Sequence, residues 1–570
     1  MFLPTTKKEM RALGWERLDV ILVTGDTYID SPYIGVAVIG KTLVNAGYRV
    51  GIIAQPDTDS DADIARLGEP ALFWGITAGC MDSMVANYTA TKKPRKQDDL
   101  TAGGQNTRRP DRASIVYTNL IRRYFKKTAP IVLGGIEASL RRISHYDFWS
   151  NRIRRSILFD AKADILVYGM GEKPVIELAG RLAAGKPFTD IRGICYISTE
   201  KPAGFIEMPM HERVKQDKSA FQDMFQIFYE NNDPKTANGL LQLQDTRYLV
   251  HNPPPVLQTT EELDQIYEAG YEREVAPHYR QFGNVKAMDT IRFSIATHRG
   301  CYGECHFCAI AVHQGSTIVG RSEASILREA REMTAHPLFK GIIQDVGGPT
   351  ANMYGIECKR KIEKGACRHK RCLTPEPCKH LPVNHGRQVR LLVKIRKIPG
   401  VKKVFVGSGV RHDLILADRS QGNKYLETLI KHHISGQLKI APEHSEDHIL
   451  SLMGKPDIEK TRQFIQWFHE KNRQIGKEQF LTCYFIAAYP GCTLKDMQHL
   501  KEFARKELKF TPEQIQIFTP SPSTIATLMY HTEADWPSGR PIFVEKTAAG
   551  KEKQKQAVVP GKRSRGRADN

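Results

Sequence analysis

Residues 291–308 read IRFSIATHRGCYGECHFC. The first six, IRFSIA, make a short apolar run with the composition of a buried strand. Cys301, Cys305 and Cys308 follow directly, spaced C-x3-C-x2-C. Clustered thiols in a reducing compartment are metal ligands or catalytic groups more often than disulfide partners. Three thiolates on one tight loop can hold three irons of a cubane cluster. The fourth iron then lacks a protein ligand, which leaves a position open for a bound molecule. Gly300 and Gly303 let the loop fold around such a group. The alternative is structural zinc, which takes four ligands. His306 could be recruited, but neighbours on a short loop fit a tetrahedron poorly.

Outward from this loop, apolar runs recur at 291–296, 341–346, 403–407, 437–441, 480–488 and 514–519, with helical patterns between them, as at 323–334 and 424–433. Six strand–helix units predict a partial (β/α)6 barrel, with the cysteines at the C-terminal end of its first strand, where barrel enzymes carry their chemistry. The first 200 residues alternate in the same way, with strand candidates at 19–24, 49–54, 72–77, 130–134, 164–169 and 193–198 and a polar loop at 91–112. They predict a doubly wound α/β domain. The expected plan is α/β throughout: an N-terminal domain over 1–200 and a connecting segment over 201–285, with an extended NPPP at 252–255. A barrel follows over 286–545 with a cysteine-rich insertion at 350–386, and then a basic disordered tail over 546–570.

The chain has 570 residues and a formal net charge of +20. No apolar run approaches the roughly 18–20 residues of a membrane span. The first residues have no apolar signal region. The expectation is a cytoplasmic protein without a membrane partner, and an odd count of 11 cysteines argues against a disulfide framework. Four of those cysteines, Cys358, Cys367, Cys372 and Cys378, lie within the insertion, which has few apolar residues for a core. They are candidate ligands of a second iron–sulfur cluster or of zinc. The charge is local: 359–411 carries sixteen Lys/Arg against Glu363 and Glu376, and 546–570 carries eight against Glu552 and Asp569. The rest is net neutral, so a polyanionic partner such as nucleic acid would meet those two segments.

At the cysteine loop the chain resembles the radical S-adenosylmethionine (radical SAM) superfamily, whose motif is C-x3-C-x-Φ-C with an aromatic Φ, here Phe307. Gly347, Gly348, Pro349 and Thr350 stand at the superfamily's Gly-Gly motif, with Pro349 where many members have Glu. The segments HRGCYGECHFCAIAVHQG, DVGGPTANMYG and LKIAPEHSEDHILSLMGKP are similar to the YgiQ-type branch. The resemblance implies a 4Fe–4S cluster on the loop cysteines, with S-adenosyl-L-methionine chelating the open iron. It further implies a one-electron donor such as flavodoxin or ferredoxin, and reductive cleavage to methionine and a 5′-deoxyadenosyl radical. Ser408, Arg411, Glu443, Tyr489 and Gly491, at later strand ends, are candidate cofactor contacts. The N-terminal domain resembles cobalamin-binding domains, and GMGE at 169–172 matches a segment common in them. It lacks the D-x-H-x-x-G ligand pattern, so cobalamin held through a histidine is not expected. Three functions follow: modification of RNA or protein, modification of a small anionic metabolite, or non-catalytic RNA binding on an iron–sulfur fold.

Overall fold

The computed structural model describes residues 1–367, 370–509, 512 and 515–559. Five parallel strands open the chain: Val20–Thr24, Val50–Ala54, Phe73–Thr77, Ile131–Leu133 and Ile165–Val167. Their spatial order, 2-1-3-4-5 in chain numbering, is that of a doubly wound sheet. All are apolar and fully or largely buried, as strands covered on both faces must be.

The sheet runs past the expected boundary at 200. Ile194–Ser198, Arg247–His251, Leu240–Gln244 and Ile206–Met208 extend it to nine strands. The segment 201–285 is therefore not a mere connector; it supplies three of these strands. Its signal was masked because Gln242 and Gln244 are buried in a strand: their amides reach the Pro209 carbonyl at 3.0 Å and Ser144 Oγ at 3.3 Å. The NPPP stretch is extended, as its prolines dictate. Beyond it Glu274–Val275 pairs with Ile29–Asp30, which ties the approach to the barrel onto the first domain.

The second parallel array follows with all six expected strands. Ser294–Ala296 pairs with Asp345–Gly347, Ile342–Ile343 with Lys403–Val404, Gln437–Glu443 with Phe480–Ala487, and the last with Ile515–Ile517. A bridge between Val410 and Ile440 joins the third strand to the fourth. The first barrel strand begins later than the apolar run, because Met288–Ile291 is still a helical turn. Glu323–Thr334 is helical as expected, and 424–433 is covered by Gly422–Thr428 with a wider π turn over Leu429–His433. The cysteine-rich insertion has more core than its composition implied. Ile356, Leu373 and Leu381 pack with Tyr302, Ile318, Met353 and Leu414.

The tail is corrected over its first half. Ala548–Val558 is a helix, capped by Thr547, that buries Lys551, Gln554 and Val558. Gln554 accepts from the Ala488 amide at 2.9 Å and donates to the Cys492 carbonyl at 2.9 Å. Lys551 donates to Tyr530 Oη at 3.1 Å over the Phe148 ring. Polar residues that find partners only in the folded state leave no hydrophobic pattern. Residues 560–570 lie outside the described residues. Ending the chain at Lys546 orphans the Ala488 amide and Cys492 carbonyl, a cost of about 2–5 kcal/mol. Calorimetry of that truncation checks this.

Candidate active site at the mouth of the barrel

The cysteine loop leaves the first barrel strand through Gly300, whose φ is +79°. A Cβ there would lie 2.0 Å from the Thr317 carbonyl oxygen, so no other residue fits this turn. Gly303 donates its amide to Cys301 Sγ at 3.3 Å. A Cβ on Gly303 would stand 3.2 Å from Cys301 Sγ and 3.6 Å from Cys305 Sγ, inside the space the thiols surround. Burial pushes the Cys301 thiol up, and pushes Cys308 up to about 12. Both hold their protons near neutrality, and a metal bound there would have to displace them.

Arg411 reaches this loop from the third barrel strand end. Its Nη1 lies 3.8 Å from Cys305 Sγ, and Nε and Nη2 form a fork onto Asp413 at 2.9 and 2.5 Å. Both side chains are buried. Burial raises the Asp413 carboxyl; the Arg411 guanidinium outweighs it and leaves the group below the ordinary carboxylate range. Arg411 therefore sits beside the cysteine sulfurs, pinned by a partner the sequence reading did not single out.

Gly347, Gly348, Pro349 and Thr350 end the second strand facing the same loop, with Thr350 Oγ1 3.4 Å from Cys301 Sγ. The Gly347 carbonyl is already taken by the Thr297 amide and hydroxyl, at 2.6 and 3.0 Å. The free edge of the turn is therefore 348–350. Gly348 is required by His298, whose ring would lie 2.5 Å from an added Cβ. Ser408 donates its hydroxyl to Asp345, which also accepts from the amides of Gly407 and Ser408 at 2.8 and 3.0 Å. Glu443 is buried with φ +76°, and burial raises its carboxyl against the pull of Lys455 and Arg411. Tyr489 is buried, edge-on to Phe307 at 6.3 Å, with its hydroxyl on the Leu452 carbonyl at 3.0 Å. That same carbonyl lies 2.7 Å from His306 Nδ1. His306 thus braces the loop through Nδ1, while its Nε2 is buried without a hydrogen-bond partner among the described residues. Gly491, φ +92°, donates its amide to the Phe543 carbonyl at 2.7 Å.

The N-terminal domain is docked directly on the loop. Arg299 pairs with Glu172 of GMGE at 2.5 Å, and Gln258 donates to the same carboxylate at 3.0 Å. His313, on the helix Ala309–Gln314, meets Ser139 Oγ at 3.0 Å. Between the domains lies a cavity of about 1240 Å3, lined by Cys305, His306 and Cys308 on one side and by Arg142, Tyr168 and Met170 on the other.

Burial lowers His298 and His313 to about 4 and His306 to about 3, with Arg142 adding to the effect at His313 and Arg371 at His306. Unfolded, they titrate near 6.5. The unfolded chain therefore takes up more protons below that pH, and stability falls from about pH 6.5 toward 4, by up to about 1.4 kcal/mol per pH unit for each histidine. Urea midpoints measured over that range check the slope; a flat profile contradicts it.

Solved structures of a radical S-adenosylmethionine methyltransferase, TsrM from Kitasatospora setae, share this arrangement. One, with cobalamin and a [4Fe-4S] cluster bound, superposes with a TM-score of 0.52 at 15% identity, over 94% of this chain and 84% of that one. A second, with tryptophan and a SAM analogue bound, gives 0.50 over 88% and 75%. At that identity the likeness is one of fold. A family model described as radical SAM N-terminal matches residues 2–294, which span the first domain and the approach to the barrel. The fold and the loop thus define a radical SAM protein. A UPF0313 protein of Fusobacterium nucleatum is 54% identical over 99% of this chain and all of its own length. One from Thermotoga maritima is 48% identical over the same shares. The chain belongs to the UPF0313 family of the radical SAM superfamily; these relatives bear that name rather than the YgiQ label.

Proposed function

We propose that this protein is a radical SAM enzyme that binds a 4Fe–4S cluster on Cys301, Cys305 and Cys308 and modifies a macromolecule, with RNA first and protein second. The observation that carries the reading is the loop itself. Three half-buried thiols sit on one short loop; Cys301 and Cys305 flank the position that Gly303 leaves without a side chain, and Cys305 and Cys308 line the interdomain cavity. When bound there, the cluster and S-adenosylmethionine supply one-electron cleavage of a sulfonium carbon–sulfur bond and a carbon radical that takes hydrogen from the substrate.

The chain's own work is positioning and exclusion of water. Arg411 supplies positive charge beside Cys305. The turn 348–350 offers backbone and Thr350 to the polar end of the cofactor, and Tyr489 with Phe307 forms an apolar wall. The docked first domain closes the site, keeping a reactive group away from bulk water.

Cobalamin is left out of this reading. In a doubly wound sheet ligands bind beyond the carboxyl ends of the strands where the order reverses, here Val20–Thr24 and Phe73–Thr77. Arg109 from the polar loop fills that crevice, paired with Asp26 at 2.5 Å and Asp98 at 3.0 Å.

The test is anaerobic. The reconstituted, reduced protein should release 5′-deoxyadenosine and methionine from S-adenosylmethionine, without added cobalamin. No release counts against the enzyme reading. For the substrate, tRNA or rRNA should bind with a steep salt dependence, and charge reversal at exposed Lys359, Arg360 and Lys364 should weaken it while cofactor cleavage persists. Salt-insensitive or absent RNA binding would favour a small anionic metabolite.

A further inference from the structure

The insertion brings Cys358, Cys367, Cys372 and Cys378 to the wall of a single cavity of about 220 Å3. The sequence marked these four as candidate ligands of one group, with iron–sulfur and zinc both open. The convergence is built by the small core around Tyr302. Its hydroxyl accepts from the Cys358 amide at 2.8 Å, and the Cys378 amide donates to the Cys372 carbonyl at 2.8 Å.

The volume bears on what the site is sized for. About 10–15 Å3 is enough to admit one water, whereas 220 Å3 takes a group of several atoms.

The surroundings suit an anionic group. Lys361 is buried with Nζ 3.9 Å from Cys372 Sγ, held by the Ser316 carbonyl at 2.7 Å, and Arg360 and Arg371 also line the cavity. Glu304, Cys367 and Arg371 line both this cavity and the larger one. Tyr302, which follows Cys301 in the chain, belongs to the small core against which Cys301, Cys358, Cys372 and Cys378 all pack.

We propose that Cys358, Cys367, Cys372 and Cys378 hold a second iron–sulfur cluster, of the four-iron cubane type, whose Cys367 corner faces the large cavity. The site does not depend on the 301–308 loop being loaded, and the experiment separates the two. Full-length protein is reconstituted anaerobically with iron and sulfide, and metals and acid-labile sulfide are counted per chain. Wild type should hold about eight irons, and C301A/C305A/C308A should keep about four with matching sulfide. C358A/C372A should keep only the loop's share, and S-adenosylmethionine should perturb the reduced EPR signal of that variant but not of the loop variant. One zinc in place of the second four irons would overturn the proposal. So would a loop variant that folds, by circular dichroism, yet holds neither iron nor sulfide. Four irons in the loop variant and none in C358A/C372A would sustain the second site while counting against the loop.

Discussion

Cys301→Ala, Cys305→Ala and Cys308→Ala should each reduce 5′-deoxyadenosine release to background. The reason is a count of ligands. Three thiolates are the smallest set that holds a cubane while leaving one iron open. The nearby Thr350 Oγ1, 3.4 Å from Cys301 Sγ, is a hydroxyl and no substitute for a thiolate. The fold should survive, because the loop is braced independently by the His306 amide on the Met453 carbonyl and by the Cys308 amide on the Cys305 carbonyl. The expected signature is wild-type circular dichroism, loss of the loop's iron and no cofactor cleavage. Retained cleavage in any one variant would show that the thiols are not the ligand set.

Arg411→Ala should be the most damaging single change outside the cysteines, and it should act on stability as well as chemistry. It strands the Asp413 carboxylate, whose side chain is 4% exposed, without its only fork partner. Removing one member of a buried pair costs about 3–5 kcal/mol, because the remaining charge stays desolvated. Arg411→Lys keeps the charge but not the two-pronged geometry, so an intermediate loss is expected. Arg411→Met with Asp413→Leu removes both charges and should recover most of the stability, but not the charge beside Cys305. Denaturation midpoints and iron retention of the three variants separate these effects. If the double variant also binds iron as wild type does, Arg411 is only a structural residue.

Much of this was legible in the chain. The loop cysteines, the twelve strand runs and the Gly347–Gly348 turn all carry local signals: spacing, β-branched composition, or a residue type with few other uses. What stayed hidden was polar structure whose partners are distant. Gln242 and Gln244 occupy a strand, and Lys551 and Gln554 a packed helix, because the fold supplies their hydrogen bonds. His298 beneath Gly348, Asp413 behind Arg411 and Asp345 under Ser408 had no signal beyond their type.

The sequence alone determined the superfamily and the order of the two parallel arrays, because cysteine spacing and strand periodicity are short-range properties of the chain. Only the tertiary structure decided how the first domain closes on the loop, through Arg299–Glu172 and His313–Ser139, and which cysteines of the insertion share a cavity. Those contacts join residues more than a hundred positions apart, or depend on a small core that no single segment contains. They exist only once apolar burial has brought the two sheets together.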